Sequence, residues 1–284
     1  MTAQQDVAAS SPLFSLERFE AYSSFMRMSF LTMLAYRLRY FTGILTYVLF
    51  VSVHYFIWKA VYSGLPADAR INGFTLGEMI TYVAVGWISR SFYFSNIDDE
   101  IDELVRSGQI SVYLLRPVNF HLMMLSQAAG ESLFRILFFS APICIAVVTF
   151  FPVSLPPTFT DAARFFLSTA SSFLILAEVN FAVGLLSFRL KSIQGIARAK
   201  YTLIQLLSGL FMPLAFFPGW FRTVVDYLPF KLISYVPLQF YLGKVSGDQI
   251  GEVFLNQVFW IVTLVGLSHY FFVRAMRRLT LQGG

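Results

Sequence analysis

The chain has 284 residues, of which 57% are apolar, 18% aromatic and only 13% charged, and its formal net charge is +5. A soluble domain carries about 25% charged residues, so this chain has too few charges to cover the surface of a water-soluble globule. The composition predicts an all-α integral membrane protein and excludes a soluble enzyme, a disordered chain and, because Cys144 is the only cysteine, a disulfide scaffold.

Residues 1–40 precede the first apolar run that is long enough to cross a bilayer. Between Leu13 and Tyr40, apolar side chains recur at helical spacing with charged residues among them. This pattern is typical of an amphipathic helix in the cytoplasmic interface of the membrane, and a plain cytoplasmic extension is the alternative. Residues 1–11 lack the basic segment and short apolar stretch of a signal peptide, so we expect no cleavage there.

Six apolar runs are candidates for membrane spans, since a bilayer core about 30 Å thick needs about 20 apolar residues in a helix. They cover residues 41–58, 79–97, 136–159, 165–188, 201–221 and 253–273. Arg90 interrupts the second run, and prolines predict that the third helix ends near Phe151. We therefore expect one membrane domain of six helices over residues 41–274, followed by a cytoplasmic tail over residues 275–284.

The segments between the spans differ in charge. With six spans, both termini and the 2–3 and 4–5 loops share one side of the membrane, and this side carries most of the Lys and Arg residues. Basic residues collect in cytoplasmic loops, so the pattern predicts a multi-pass protein of the inner (cytoplasmic) membrane with both termini in the cytoplasm. The same rule accounts for the positive net charge, so we expect membrane lipids and no nucleic acid as partners.

The 2–3 loop combines an apolar and an acidic face. Ile97, Ile101, Leu104 and Val105 have helical spacing, and five acidic residues lie between them, which predicts a short amphipathic helix over about residues 97–106. Gly108 ends this helix, and residues 113–117 turn into the next one. Acidic residues gain nothing from anionic lipid, so a protein groove is the favoured partner and a solvated loop is the alternative.

A proline-rich apolar region follows the fifth run. Pro213, Pro218, Pro229 and Pro237 cannot all lie in a straight helix without freeing backbone groups inside the membrane. We expect residues 217–241 to form a re-entrant hairpin that enters the extracellular leaflet, with Trp220 anchoring its turn, and that gates the outer end of the pathway. An extra pair of true spans is the alternative.

Two polar residues inside the fourth run need a partner or a cavity. Glu178 and Asn180 lie near its middle, where an isolated carboxylate is costly and normally faces a cavity or a partner. We expect either a polar substrate path, a lock with Arg90 or Arg135, or a structural pair between helices. The chain has no Walker A pattern, nucleophile elbow or metal-ligand cluster, so no catalytic residue, metal site or cofactor of its own is predicted.

Two segments resemble a known family. Residues 208–220, SGLFMPLAFFPGW, with residues 228–230 after them, are similar to the signature of ABC-2 type exporter permeases around span five and its extracellular hairpin. Residues 105–110 with the YLLRP sequence at 113–117 resemble a narrower branch of ABC-2-like permeases that carries an LLRP motif in the 2–3 loop.

The resemblance implies a transport subunit without its own ATPase site. Such permeases work in pairs, identical or related, on two cytoplasmic ATPase subunits that bind ATP and Mg²⁺, and the 2–3 loop helix couples to the ATPase. The coupling residues implied here are Ile97, Asp98, Ile101, Asp102, Leu104, Val105, Arg106, Leu114, Leu115 and Arg116. The residues expected in a substrate path or gate are Glu178, Asn180, Pro213, Phe217, Pro218 and Trp220.

Two other classes of function stay open on the sequence. A secondary transporter or channel is disfavoured because Glu178 has no matching partner in a second repeat. A membrane-embedded enzyme or assembly factor is disfavoured because the chain lacks clustered His, Asp or nucleophile motifs.

Overall fold

The computed structural model describes residues 16–36, 38–66, 68–190 and 192–279, and within these ranges it contains helices and no β-strand. The α-helices are α1 Leu16–Ala35, α2 Leu38–Val61, α3 Leu76–Tyr93, α4 Ile97–Arg106, α5 Ile110–Leu114, α6 Phe120–Arg135, α7 Ala141–Phe150, α8 Phe159–Gly184, α9 Gln194–Leu207, α10 Gly219–Asp226, α11 Tyr235–Tyr241 and α12 Gly247–Leu279. A π-helical turn, Ile136–Ser140, joins α6 to α7, and 3₁₀ turns form at Leu185–Phe188, Leu214–Phe216 and Pro229–Leu232. Of the predicted N-terminal segment at 1–40 and the predicted C-terminal tail at 275–284, residues 1–15 and 280–284 lie outside the described residues.

By length and apolar composition, four helical stretches among the described residues can cross a membrane. They are Gly43–Val61, Phe120–Phe150, Phe159–Phe188 and Gly247–Arg277, and they contain most of the first, third, fourth and sixth predicted runs. The third of the predicted helices ends at Phe150, as its prolines indicate. Its π turn ends two residues before Pro142, which lacks the N–H that a regular α-helix needs at that position.

The second predicted run forms α3, the central helix of the bundle. The helix begins with a capping box between Thr75 and Glu78 and ends at Tyr93, four residues earlier than expected. Every residue from Met79 to Ser91 is buried by other helices of the same chain. Because protein surrounds α3, Arg90 and Ser91 hydrogen-bond to Tyr47 and Ser140 of the same chain. The helix therefore does not need the uniformly apolar surface of a lipid-facing span.

The expectation of one spanning helix over residues 201–221 is wrong. Helix α9 ends at Leu207, and the chain then reverses at Gly209, whose φ of +74° favours glycine. The Tyr82 hydroxyl donates to the Gly209 carbonyl at 2.6 Å, and the Tyr235 amide donates to the Ser208 carbonyl at 2.9 Å. These bonds satisfy the backbone where the helix breaks, so the six-helix count is not confirmed.

Residues 219–241 fold as two short helices, α10 and α11, with a 3₁₀ turn between them. Helix α11 is largely buried, through Val236, Leu238 and Phe240 among others. The Ser172 hydroxyl donates to the Leu232 carbonyl at 3.1 Å, about 20 Å along α8 from its first residue. The segment therefore reaches well into the bundle, while its re-entrant position in a membrane stays a prediction.

Helix α1 packs lengthwise on α6. Gly130 of α6 makes this possible, because a Cβ there would lie only 2.0 Å from the Met26 carbonyl oxygen. Phe30 continues the contact, with its ring 5.9 Å from that of Phe134. The predicted N-terminal helix is thus present from Leu16, and its interfacial location stays a prediction.

Candidate functional site

The predicted loop helix is present as α4, but its apolar face is already covered by the same chain. Ile97 and Ile101 are buried, and they belong to one apolar cluster with Phe181 and Leu185 of the α8 region. Gly184 allows this close approach, since a Cβ there would lie 2.9 Å from Ile101 Cδ1. The expectation that Ile97 and Ile101 are free to dock on a partner is therefore corrected.

An ion pair and its hydrogen bonds join α4 to two other helices. Lys200 of α9 lies 2.5 Å from Asp98 Oδ2 of α4 and donates to Asn180 Oδ1 of α8 at 2.6 Å. The Asn180 amide nitrogen in turn donates to the Ser95 carbonyl at 2.8 Å. Asp98 and Asn180 are both buried, so each depends on these partners. A displacement of α4 would therefore pull on α8 and α9.

A further contact joins α4 to α6. Burial and the neighbouring Glu131 carboxylate raise the pKa of Glu100 well above its ordinary value. Glu131 also pairs with Arg135, one helical turn further along α6, at 3.1 Å. On the other side of α4, Arg106 lies 2.9 Å from the buried Asp102.

The exposed part of the loop lies beyond this packed base. It consists of the turn at residues 107–109, which uses Gly108 at a φ of +72°, and of the outer side of α5. Val112 is 59% exposed and Leu115 is 82% exposed, so two apolar side chains three residues apart face outward. Arg116 instead lies over the Tyr113 ring at 4.4 Å and near that of Phe25 at 5.9 Å, tying α5 to α1.

The ten predicted coupling residues thus divide by burial. Ile97, Asp98, Ile101 and Asp102 are buried, Leu104, Val105, Leu114 and Arg116 are half-buried, and Arg106 and Leu115 are exposed. Of the ten, only the last two are exposed, and Arg106 also pairs with Asp102. Sequence reasoning missed the exposed Val112, although its spacing to Leu115 on a short helix was visible.

A cavity of about 710 Å³ opens between the end of α3 and helices α4, α8 and α9. Its wall is polar on the α4 side, where acidic residues face Lys200 and Arg198, and it includes Asn180. Leu210 and Ile233, from the broken region after α9 and the turn before α11, also line it. Helix α4 is therefore both the base of the exposed loop and part of the cavity wall.

Arg90 lies in the same wall and is almost fully buried. It donates to the hydroxyls of Tyr47, at 2.6 Å, and Tyr201, and its guanidinium lies 4.6 Å from the centre of the Phe94 ring. These partners lie on three different helices or their ends. The sequence indicated Arg90 as unusual but gave no sign of its tyrosine partners, which are distant along the chain.

Glu178 pairs with neither Arg90 nor Arg135, so the predicted lock is wrong. Its carboxylate Oε1 lies 2.9 Å from Nε2 of His121 on α6, and Glu178 does not line the cavity. Arg135 instead donates to the carbonyls of Ser91, at 3.3 Å, and Phe94 at the end of α3. The alternative of a structural pair between helices describes Glu178, while Asn180 lines the cavity.

The residues expected in the gate lie elsewhere. Pro213, Phe217, Pro218 and Trp220 do not line the cavity, and Trp220 is 70% exposed. Phe217 stacks on Phe221 at 4.6 Å within its own segment. Within the described ranges, no group of three His, Cys, Asp or Glu side chains is arranged to hold a metal ion.

Comparison with known protein families identifies the family of this chain. No curated protein and no solved structure matches the chain. A family model described as "ABC-2 family transporter protein" matches residues 48–283, which include the cavity, the α4–α5 loop and the candidate spans from α6 onward. The chain therefore belongs to the ABC-2 transporter family.

Proposed function

We propose that the chain is the permease subunit of an ABC exporter and is driven by separate cytoplasmic ATPase subunits that bind ATP and Mg²⁺. Membership of the ABC-2 family supports this function and does not favour a secondary transporter or channel. The observation that carries the proposal is the double position of α4, which supports the exposed loop and lines the 710 Å³ cavity.

The outer surface of the loop is the proposed contact with the ATPase. We define this coupling surface as Arg106, residues 107–109, Val112 and Leu115, which are all exposed. A push on the surface would move α4, because the α4 base is packed tightly against Gly184. The Lys200–Asp98 pair would carry the movement to α9 and to the cavity.

The cavity is the proposed binding region for the transported molecule. Its lining includes Leu210 and Ile233, which belong to the segments before and within the predicted re-entrant hairpin. Opening toward the outer face would require these segments to move. The gate is therefore proposed at residues 208–210 and 232–234 rather than at Trp220, which is exposed.

A second permease is the proposed partner within the membrane. The apolar side chains of Leu45 and Leu49 on α2 and of Leu203 on α9 are at least half exposed. Such faces require lipid or protein, and a pair of permeases would enclose a wider path than one chain. We further propose that both termini and the coupling surface face the cytoplasm.

Substitution of the coupling surface tests the function. Leu115→Asp and Val112→Asp, made in the full chain in its native membrane, should each weaken copurification of an ATPase subunit about ten-fold and lower ATP hydrolysis in proportion. Leu190→Asp is the matched control, since Leu190 is 42% exposed but lies outside the surface. Equal recovery of ATPase with all three variants would contradict the proposed contact.

Labelling tests the orientation separately. Single cysteines at Arg222 and Asp226, in a Cys144→Ser background, should react with an impermeant thiol reagent added outside intact cells. Both residues are exposed on α10. Labelling only after the cytoplasmic face is opened would invert the topology.

A further inference from the structure

A second, smaller cavity of about 220 Å³ lies between the end of α8 and the last turns of α12. On the α8 side it is lined by Ala182, Leu186 and Arg189, and on the α12 side by Tyr270, Phe271 and Arg274. The small side chain of Ala182 leaves an open apolar slot between the two helices. We call this cavity the basic groove.

The two ends of the basic groove differ in chemistry. Helices α8 and α12 run in parallel, because Gln257 bonds to Ser168 at 2.8 Å and Ser268 bonds to the Glu178 carbonyl at 3.3 Å. On both helices the apolar lining comes first, and the arginine follows one turn later. The groove is therefore apolar toward the middle of the bundle and positive at one end.

Among the residues that the structure describes, no carboxylate pairs with either of the two positive charges. Arg189 and Arg274 are exposed, and neither forms a salt bridge with any residue in the described ranges. The lining of the groove contains no acidic residue. Arg106 and Arg135, in contrast, each pair with a carboxylate of the chain. An anionic partner from outside would complete the site.

We propose that the basic groove binds one anionic phospholipid. The phosphate lies between Arg189 and Arg274, and an acyl chain lies against Ala182, Leu186 and Phe271. A lipid is the only common membrane component with this order of negative head and apolar tail, and basic pockets between membrane helices bind such head groups. The site is independent of the transported molecule and needs only that the chain spans a membrane.

The lipid would also support the base of α4. Leu185 also lines the groove, and it belongs to the buried apolar cluster that contains Ile101. Filling the groove would therefore hold the 3₁₀ turn Leu185–Phe188 in place beneath α4. We expect the bound lipid to stabilise the cluster.

Native mass spectrometry of the purified full chain, with the subunits that copurify, tests the site. Phosphatidylglycerol and phosphatidylcholine of identical acyl chains are added to delipidated protein. Each arginine near an anionic membrane surface is worth about five-fold, so one phosphatidylglycerol should bind roughly 30-fold more tightly than phosphatidylcholine. The Arg189→Gln/Arg274→Gln variant should lose this preference.

Two controls make the result specific. The Arg27→Gln/Arg222→Gln variant loses the same charge at exposed arginines outside the groove and should keep the preference. Ala182→Phe fills the apolar slot without a change of charge and should weaken phosphatidylglycerol binding. Inorganic phosphate alone should neither bind stoichiometrically nor displace the lipid.

Three results would overturn the proposal. Equal preference for phosphatidylglycerol in the groove variant and the charge control would show only general electrostatic attraction. Undiminished binding to Ala182→Phe would show that no acyl chain enters the slot. Displacement by inorganic phosphate would show a simple anion site.

Discussion

The close approach of α4 to α8 at Gly184 makes a quantitative prediction. An alanine Cβ at this position would lie 2.9 Å from Ile101 Cδ1 and 3.0 Å from the Asp98 Cα atom, whereas ordinary contacts lie at 3.4–4 Å. The side chain of Ile101 can shift, but the Asp98 Cα belongs to the backbone. In Gly184→Ala, the first turn of α4 must therefore withdraw by several tenths of an ångström.

The cost follows from this overlap. Overpacking of a well-packed core costs about 1–3 kcal/mol, and the helix propensity of alanine returns less than about 1 kcal/mol of this. Withdrawal of α4 also lengthens the 2.5 Å contact between Asp98 and Lys200. We expect Gly184→Ala to insert normally, to unfold at a lower temperature in detergent and to reduce coupled ATP hydrolysis.

Gly266 provides the matched control. It lies within helix α12, and a Cβ there would meet no atom within 4 Å, so Gly266→Ala should be neutral or stabilising. Adding Ile101→Val to Gly184→Ala removes the nearest clashing atom, Cδ1, and should restore part of the loss. If Gly184→Ala and Gly266→Ala unfold at the same temperature, the close packing of α4 against Gly184 does not contribute to the stability of the chain.

Three further predictions concern neighbouring contacts. Gly130→Ala places a Cβ 2.0 Å from the Met26 carbonyl oxygen and should therefore detach α1 from α6. Limited proteolysis before residue 36 should then be faster, and an unchanged rate would refute the contact. Lys200→Met leaves buried Asp98 without its cation and should destabilise the chain by roughly 3–5 kcal/mol. Adding Asp98→Asn should recover most of the loss of melting temperature. A Lys200→Met variant as stable as the wild type would contradict the pair. The raised pKa of Glu100 means that the folded chain holds its proton more tightly than the unfolded chain, so stability is highest below the ordinary value of 4.5 and falls as pH rises through the raised pKa. Glu100→Gln should flatten this slope in melting curves against pH and be the more stable form above it, and an unchanged slope would exclude Glu100 as its source.

Helices with a local sequence signal could be predicted from the sequence. Helix ends, buried helix faces and ion pairs that depend on tertiary contacts could not. A helix long enough to cross a membrane, such as α12, contains a long apolar window, and α4 shows its amphipathic period within ten residues. Both signals are local, so their positions could be predicted closely. The LLRP branch of the family and the re-entrant hairpin stay predictions.

Three expectations are wrong because they depend on tertiary contacts, which the composition of a segment does not reveal. The run at 201–221 is free of charge, but its helix ends at Leu207, and Tyr82 holds the turn that follows. The apolar face of α4 is directed into the chain itself, because Gly184 lets the helix approach α8. Glu178 pairs with His121, a residue 57 positions away that no spacing rule connects with it.

The subunit composition of the intact complex is the most direct test of whether the chain is the permease subunit of an ABC exporter. The full chain is purified from its native membrane in mild detergent, and the mass and subunit content of the intact particle are measured. We expect two permease chains, identical or related, together with two ATPase subunits that hydrolyse ATP. A particle that contains the chain without any nucleotide-binding subunit, recovered intact and still active in transport, would contradict it.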